Sequence, residues 1–314
     1  MVQVDLITGF LGAGKTTFLR RYVRYLVEQG HNVCILENDF GAVNVDAMLV
    51  QDLLGPRCDL ETISGGCDCD THQRRMRTKL IAMAMRGFDR VVVEPSGIFD
   101  VDEFFDVLRD DPLDRWYQVG NVIAIVDAML PETLSPQAEY LLASETANAG
   151  RVLLSRTRQA GQAQTAAAAA HLTRALEGCK CSRRFAPEEI LTKDWAQLTE
   201  ADLAALASCG YRQASCEKLH FDEHEAFSSL CFLEQHLTLQ QLQAAADRLF
   251  ADAACGHVLR VKGFAPDPDG QTGWLELNAT AAGKTLAPIP QGQDVLIVIG
   301  EGLDKTAIEA RLKA

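Results

Sequence analysis

The sequence predicts an α/β protein: a mostly parallel sheet with helices on both faces, followed by a small α+β C-terminal domain. Three observations predict it. Short apolar, β-branched runs alternate with helix-length amphipathic segments from residue 2 to about residue 155. Those runs are apolar almost throughout, as strands covered on both faces are. After about residue 215 the rhythm changes to several adjacent strands separated by Pro, Gly and Asp turns.

In order, VQVDLIT reads as a strand ending at Gly9. TTFLRRYVRYLVEQG follows as a helix with Phe18, Leu19, Tyr22, Val23, Leu26 and Val27 on one face and Gly30 as its stop. NVCILEN is a second strand. THQRRMRTKLIAMAMRG is a helix and DRVVVE a strand; VDEFFDVLRD is a helix and NVIAIVD a strand; YLLASETANA is a helix and RVLLS a strand. The Ala-rich stretch 158–178 is helical. EEILTKDWAQLTEADLAALASCG gives a short strand or loop, then a helix capped by Thr199. Beyond it, AFSSLCFLEQ is a strand. TLQQLQAAADRLFA is a helix with Thr238 as N-cap and Gln241 in the capping-box position. HVLRVKGFA, GWLELNA and DVLIVIG are strands, and LDKTAIEARLKA closes as a helix. The division between domains falls near residues 209–217.

Of 314 residues, 47% are hydrophobic, enough for a sizeable core. The net charge of -13 argues against non-specific binding to nucleic acid or anionic membrane. No apolar run approaches the roughly 20 residues a membrane-spanning helix needs. The opening MVQVDLITGF lacks a basic stretch before a long apolar one, so a cytoplasmic chain is expected. In a reducing compartment ten cysteines read as buried small hydrophobes or metal ligands, not as a disulfide framework. Cys34 and Cys231 are expected in the core.

The segment GFLGAGKT, Gly9 to Thr16, fits the spacing G-x-x-x-x-G-K-[ST] without a mismatch, between a strand and an amphipathic helix. Its glycines let backbone N–H groups turn inward on phosphates, and the helix adds its positive end. Gly12, Ala13, Gly14, Lys15, Thr16 and Thr17 are the candidate phosphate contacts. Lys15 would reach the β/γ-phosphates and the Thr16 hydroxyl would ligate Mg²⁺. The sheet is therefore expected to be of the P-loop NTPase type. Glu94, in VVVEPSG at a strand end, is the candidate second metal-holding or water-positioning acid, with Gly97 allowing close approach. Glu37, Asn38 and Asp39 sit at another strand's C-terminal edge, where open α/β sheets bind ligands. The following segment, with Gly41, suits a loop that orders around nucleotide and Mg²⁺.

In TISGGCDCDTHQRRM two thiols stand one residue apart. Cys67 and Cys69 make a soft-ligand pair, Asp70 a harder third donor, with Glu37 or His72 to complete a shell. The alternative is an acidic turn that contains thiols, with His72 a solvated residue at a helix start. Cys179 and Cys181 form a second pair, but Lys180, Arg183 and Arg184 beside them would repel a cation. His220 and His224 are spaced for a surface metal contact and are not assigned one.

Together, TGFLGAGKTTFL, ENDFG with VNVD, Gly-Gly-Cys-x-Cys, VVVEPSG, and in the C-terminal part HVLRVKGF and VLIVIGEGLD, resemble the CobW-type GTPases, relatives of the nickel-handling GTPases of hydrogenase and urease maturation. The resemblance runs over nearly the whole chain and is weakest over 156–225. It implies a GTPase domain over 1–212 and a CobW-like α+β domain over 216–314. It implies GTP/GDP binding and slow Mg²⁺-dependent hydrolysis, coupled to handing a transition metal, often zinc (Zn²⁺), to a client metalloprotein or cofactor-assembly enzyme; a homodimer is compatible with it. By position, Lys15 and Glu94, with Glu37, would be the catalytic residues. Glu37 and Asp39 would lie in the first switch segment and Glu94 in the second. Thr16 and Glu94 would hold Mg²⁺, Cys67, Cys69 and Asp70 the transferred metal, and Ser155 and Arg156 the base end of the nucleotide.

The sequence departs from that family twice. Where the family carries Cys-x-Cys-Cys, this chain has Cys67-Asp68-Cys69-Asp70. Where the family reads guanine with [NST]-K-x-D, this chain has Ser155-Arg156-Thr157-Arg158. Arg156 can keep the stacking role of a lysine stem. Arg158 cannot accept the guanine N1–H and N2–H bonds, because guanidinium has no acceptor; another group would have to supply one. Two alternatives stay open: an ATP-using phosphotransferase, and a nucleotide-gated scaffold without a metal role.

Overall fold

The computed structural model describes residues 1–39, 49–64, 69–97, 101–217, 227–270, 273–281, 283–289 and 292–313; of residues 38, 39, 64 and 69–72 it describes the backbone alone. The described residues divide into two compact units, one up to residue 217 and one from residue 227.

The first unit is built on a seven-stranded sheet. Its strands are β1 (Val2–Thr8), β2 (Val33–Asp39), β3 (Cys58–Ser64), β4 (Arg90–Pro95), β5 (Tyr117–Asp127), β6 (Arg151–Ser155) and β7 (Ile190–Leu191), in the order β3-β2-β4-β1-β5-β6-β7. Every neighbouring pair is parallel. Both faces are apolar, and alternate residues of one strand serve opposite cores. Val91 and Val93 pack with Leu6, Phe104 and Leu108 on one side. Val92, between them, packs with Ile7, Phe18, Tyr22 and Ile125 on the other. This is why the strands read as continuous apolar runs.

Helix α1 (Lys15–Glu28) buries Phe18, Leu19, Tyr22, Val23 and Leu26, as its periodicity predicts, and Gly30 follows it at φ 93°. The other helices of this unit are α2 (Cys69–Ala84), α3 (Val101–Arg109), α4 (Leu113–Trp116), α5 (Pro136–Ala147), α6 (Thr157–Gly178) and α7 (Glu200–Leu206). Ser135 caps α5 and Thr199 caps α7 through their hydroxyls. Within α6, Gly161 leaves the helical region and kinks it.

At the centre lies one buried carboxylate. Asp5, fully buried in β1, accepts from the Tyr22 hydroxyl (2.9 Å), Arg90 (2.8 Å), the Asn121 backbone N–H (2.9 Å) and the Asn121 amide (2.8 Å). The β1–β5 register shifts here, between Val4 and Leu6, which brings Asn121 to the carboxylate. Gly120 makes the approach possible, since a Cβ there would lie 2.5 Å from the Asp5 oxygen.

The second unit is a five-stranded antiparallel sheet of β8 (Ser228–Leu233), β9 (His257–Pro266), β10 (Trp274–Thr280), β11 (Gly283–Ile289) and β12 (Val295–Glu301), in the order β11-β10-β9-β12-β8. Helices α8 (Leu239–Ala251) and α9 (Lys305–Leu312) complete it. Leu242, Ala245, Ala246 and Leu249 of α8 and Ile308 and Leu312 of α9 share a core with Val261, Leu277 and Val298 of the sheet. The Thr238–Gln241 capping box forms as read.

The structure differs from the sequence reading in several places. β3 and β11 are strands, and α4 a helix, that the sequence reading lacks. Cys231 is half-buried, not in the core, because β8 pairs on one side only. Cys181 and Cys216 form a disulfide, joining the end of α6 to the segment that leads out of the first unit, against the expectation of unpaired thiols.

Burial pushes the Cys34 and Cys209 thiols up to about 12 and the Cys58 thiol to about 11, from an ordinary 9.0. With folded values above unfolded ones, the stability these thiols contribute is complete below pH 9 and is lost as pH rises towards 12. Urea unfolding followed from about pH 8 to about pH 10.5 is expected to show a falling free energy, and Cys34→Ala is expected to flatten that slope, at about 1.4 kcal/mol per pH unit for each thiol that must stay protonated.

Candidate functional site

The C-terminal end of β1 turns directly into α1, and the turn is the Gly9–Lys15 loop. Gly9, Gly12 and Gly14 have φ of 138°, 78° and 103°, which L side chains rarely adopt. A Cβ on Gly9 would lie 2.1 Å from the Ile125 carbonyl oxygen of β5, so only glycine lets the loop leave the sheet here. The first turn of α1 carries no acidic residue to compete for an anion. Lys15 is buried, and its ammonium donates to the Gly9 carbonyl across the loop at 2.7 Å. Thr17 points to solvent from the same turn. The loop thus fits a phosphate group: turned by glycines, backed by a helix N-terminus, with one cation held across it.

On one side of β1 stand the acids. The Thr16 hydroxyl donates to Glu94 Oε1 at 2.7 Å, uniting the first turn of α1 with the end of β4. Glu37 of β2 is registered opposite Glu94, and both are buried. Hydroxyl and carboxylate oxygens at one point are the hard donors Mg²⁺ takes, so these residues fit that ion. Just past Glu94, the Ser96 hydroxyl is buried without a hydrogen-bond partner among the described residues. Gly97 presses on the phosphate loop: a Cβ there would sit 2.6 Å from the Leu11 nitrogen.

On the other side, β6 and β7 end in a cluster the sequence indicates only in part. Arg156, at φ 54°, directs its guanidinium to the Gly12 carbonyl (3.0 Å) and to the Asp127 carboxylate. Burial pushes the Asp127 carboxyl above the usual range, against the pull of Arg156 and of the Met129 N–H. Trp195 packs edge-on against Phe18 at 5.7 Å and lies over the loop, 3.4 Å from where a Gly14 Cβ would be; Ser155 lies 3.8 Å from the same point. Arg21 fixes this segment by donating to the Trp195 and Leu198 carbonyls. Asp127 had a signal in the sequence, an acid ending an apolar strand. Trp195 had none.

Of the candidate residues, the structure brings together Gly12, Ala13, Gly14, Lys15, Thr16, Glu94, Ser155 and Arg156 around one loop. Asp39 ends β2 beside them in backbone register with Ser64. Arg158 is exposed on the first turn of α6. Cys67 lies outside the described residues, as do Gly41, His220 and His224, and so do the side chains of Cys69, Asp70 and His72; Cys69 and Asp70 open α2. Among the described residues no group of three or more His, Cys, Asp or Glu is placed to hold a metal. Among them, too, no helix is long and apolar enough to cross a membrane.

A family model, CobW/HypB/UreG, nucleotide-binding domain, matches residues 3–182. The chain belongs to this family. Its curated relatives include the zinc chaperone YjiA of Escherichia coli, 32% identical over 173 residues, 52% of this chain and 52% of the relative. Another is the zinc chaperone CobW of Pseudomonas aeruginosa, 30% identical over 137 residues, 40% of this chain and 36% of the relative. The matched stretches span about half the length of these relatives or less. Among solved structures, Zn(II)-bound YjiA GTPase from E. coli aligns over 99% of this chain and 98% of that one, at 22% identity and a TM-score of 0.38. HypB from Helicobacter pylori in complex with nickel aligns over 65% and 82%, at 14% identity and a TM-score of 0.41.

Gly97→Ala tests the packing of the second acidic segment on the loop. The added methyl must push Leu11 away, and a displacement of about 1 Å can cost as much as about 100-fold in function. Nucleotide affinity, measured by displacement of a fluorescent nucleotide, is expected to fall by at least about tenfold, with the circular dichroism spectrum unchanged.

Proposed function

We propose that this member of the family binds GTP with Mg²⁺, hydrolyses it slowly, and uses the change of nucleotide state to release a transition metal, zinc first among candidates, to a client metalloprotein or cofactor-assembly enzyme. The observation that carries the reading is the Thr16–Glu94 contact beside the loop spanned by Lys15. It puts a hydroxyl, a carboxylate and a buried ammonium where the terminal phosphates and their cation would meet.

In this reading the N–H groups of residues 12–16 hold the β-phosphate, and Lys15 moves from the Gly9 carbonyl to the β- and γ-phosphate oxygens. Thr16 and Glu94 hold Mg²⁺, which when bound supplies positive charge to the phosphates. Glu94 and Glu37, paired across β4 and β2, also lie where an attacking water would be oriented. Gly97 brings the backbone after β4 against the loop, so that a γ-phosphate would be sensed by the segment after Glu94.

The metal reading rests on the connection of the sheet. β3 runs parallel to β2, with Ser64 registered on Asp39 and Thr62 on Glu37. Cys67 follows Ser64 by three residues and Cys69 opens α2. In this reading Cys67 and Cys69 would supply two thiolates, with Asp70 and Glu37 adding oxygen ligands. Such a mixed S/O set would hold zinc less tightly than a thiolate-rich one and exchange it faster. Residues 1–212 would form the nucleotide domain and 216–314 the client-binding domain of a cytoplasmic protein that acts alone or as a homodimer.

Zinc titration against a chelator of known affinity, on the apo, GDP-bound and GTP-analogue-bound protein, tests the coupling. The affinity is expected to differ by about tenfold or more between nucleotide states, which is about 1.4 kcal/mol of coupling. Lys15→Ala should abolish the difference and leave apo zinc binding intact. Equal affinity in all three states would sink the coupling, and transfer of phosphate from ATP to a small molecule would replace this reading by that of a phosphotransferase. A Cys67→Ser/Cys69→Ser variant with parental zinc binding would leave only a nucleotide-gated scaffold.

A further inference from the structure

The base end of the proposed nucleotide site has an unusual hydrogen-bonding inventory. The acids gather on the β4–β2 side of the phosphate loop, so the nucleoside belongs on the other side, over the ends of β5, β6 and β7. Among the described residues there, the carboxylates and carbonyls named here each already hold at least one hydrogen bond. The Asp127 carboxylate takes Arg156 and the Met129 N–H at 2.9 Å. The Asp194 carboxylate takes the Ala196 N–H at 3.0 Å. The backbone carbonyls of Asp127, Ser155, Arg156 and Asp194 accept from Leu130, Ala128, Gln159 and Gln197 respectively, and that of Trp195 from Arg21.

Two buried polar atoms there, the Trp195 indole N–H and the Ser155 hydroxyl, have no hydrogen-bond partner among the described residues, and Ser155 is 3% exposed. A buried polar group left unpaired is costly, so both gain from a ligand that pairs them. Arg158 adds an exposed guanidinium one residue into α6, with five N–H donors and no acceptor.

Guanine offers two kinds of edge. O6 and N7 are acceptors, which a guanidinium can address as a fork, whereas N1–H and the 2-amino group are donors that need an acceptor. Adenine carries an amino donor in place of O6.

We propose that this site reads the purine through its O6 and N7 acceptors, by Arg158, Trp195 Nε1–H and the Ser155 hydroxyl, and does not read the 2-amino group. Guanine and hypoxanthine nucleotides are then equivalent ligands, and adenine nucleotides are rejected because their 6-amino donor meets donors. This inference deepens the nucleotide reading above and rests on it.

The test displaces a fluorescent mant-GDP probe from the full chain with GDP, IDP and ADP. GDP and IDP are expected to agree within about twofold and ADP to be weaker by about tenfold or more, since a site rejects by the groups it leaves unpaired. Arg158→Asp supplies the missing acceptor on an exposed position. It should convert the site to one that prefers GDP over IDP by about tenfold, a gain that damage to the fold could not produce. A parent protein that already prefers GDP over IDP by tenfold would overturn the inference, as would ADP binding as tightly as GDP. An unchanged GDP-to-IDP ratio in Arg158→Asp would remove Arg158 from the base site and overturn it too. Failure of mant-GDP itself to bind would overturn the nucleotide reading and this inference with it, an outcome distinct from the other three.

Discussion

The buried Asp5 carboxylate is the constraint on which the rest of the first unit depends. It sits fully buried in the central strand, where an uncompensated charge would cost several kcal/mol. Donors reach it from three other elements: Arg90 from β4, Tyr22 from α1, and Asn121 from β5. Satisfying Asp5 therefore aligns both neighbouring strands and the helix at once. Tyr22 lies seven residues beyond Lys15 on α1, about two turns or roughly 10 Å along the helix. Fixing Tyr22 on the strand fixes where the helix begins, and that start is the phosphate loop. Asn121 also donates to the Ala207 carbonyl and accepts from the Gly210 N–H, so the same anchor reaches the end of α7.

From that anchored strand the site divides by chemistry. Towards β4 and β2 the strand ends carry carboxylates, Glu94 and Glu37, suited to a hard cation. Towards β6 and β7 they carry Arg156, Ser155 and, through the following segment, Trp195. Arg156 links the two functions of that side, since one guanidinium holds both the Gly12 carbonyl and Asp127. An aliphatic side chain there would leave the buried Asp127 carboxylate unpaired beside the loop. The polarity of the site, carboxylates at one flank and a guanidinium at the other, follows from which strands end where, and thus from the sheet order.

The parallel sheet was legible because its strands are buried on both faces, and the phosphate loop because it is local: eight consecutive residues with a fixed spacing. β3 was not legible. It lies at the sheet edge, and its polar residues Asp59 and Glu61 pair with Lys79 of the helix that follows and with Arg86 just past that helix. β11 escaped for the same reason, being exposed along all but its last residue and paired only with β10. Trp195 stands 180 residues from Lys15 in the sequence, and nothing near it in the chain announces that Arg21 will hold it over Gly14. The Cys181–Cys216 disulfide is of this kind too, since cysteine spacing alone names no partner. The base-reading motif was legible as a departure, Arg158 for an acid, but what remains in its place needed the hydrogen bonds around it.

The edge strand also bears on how the helix after it is held. β3 ends before residues 65–68 and α2 follows them. The two are braced to each other by Glu61, which takes both Lys79 (2.7 Å) and Arg86 (2.6 Å), and by the Asp59–Arg86 pair. Exposed pairs of this kind contribute about 1 kcal/mol or less each, but one guanidinium shared between two carboxylates fixes geometry beyond that sum. β3 and the far end of α2 are thus tied by contacts that involve neither nucleotide nor metal. Under the proposed coupling, a nucleotide-linked change in metal affinity would leave that brace in place and act through Glu37 and Asp39 on the adjoining strand. Small movements suffice for such a device, because a shift of a few tenths of an ångström in one oxygen donor already weakens a short metal–oxygen bond.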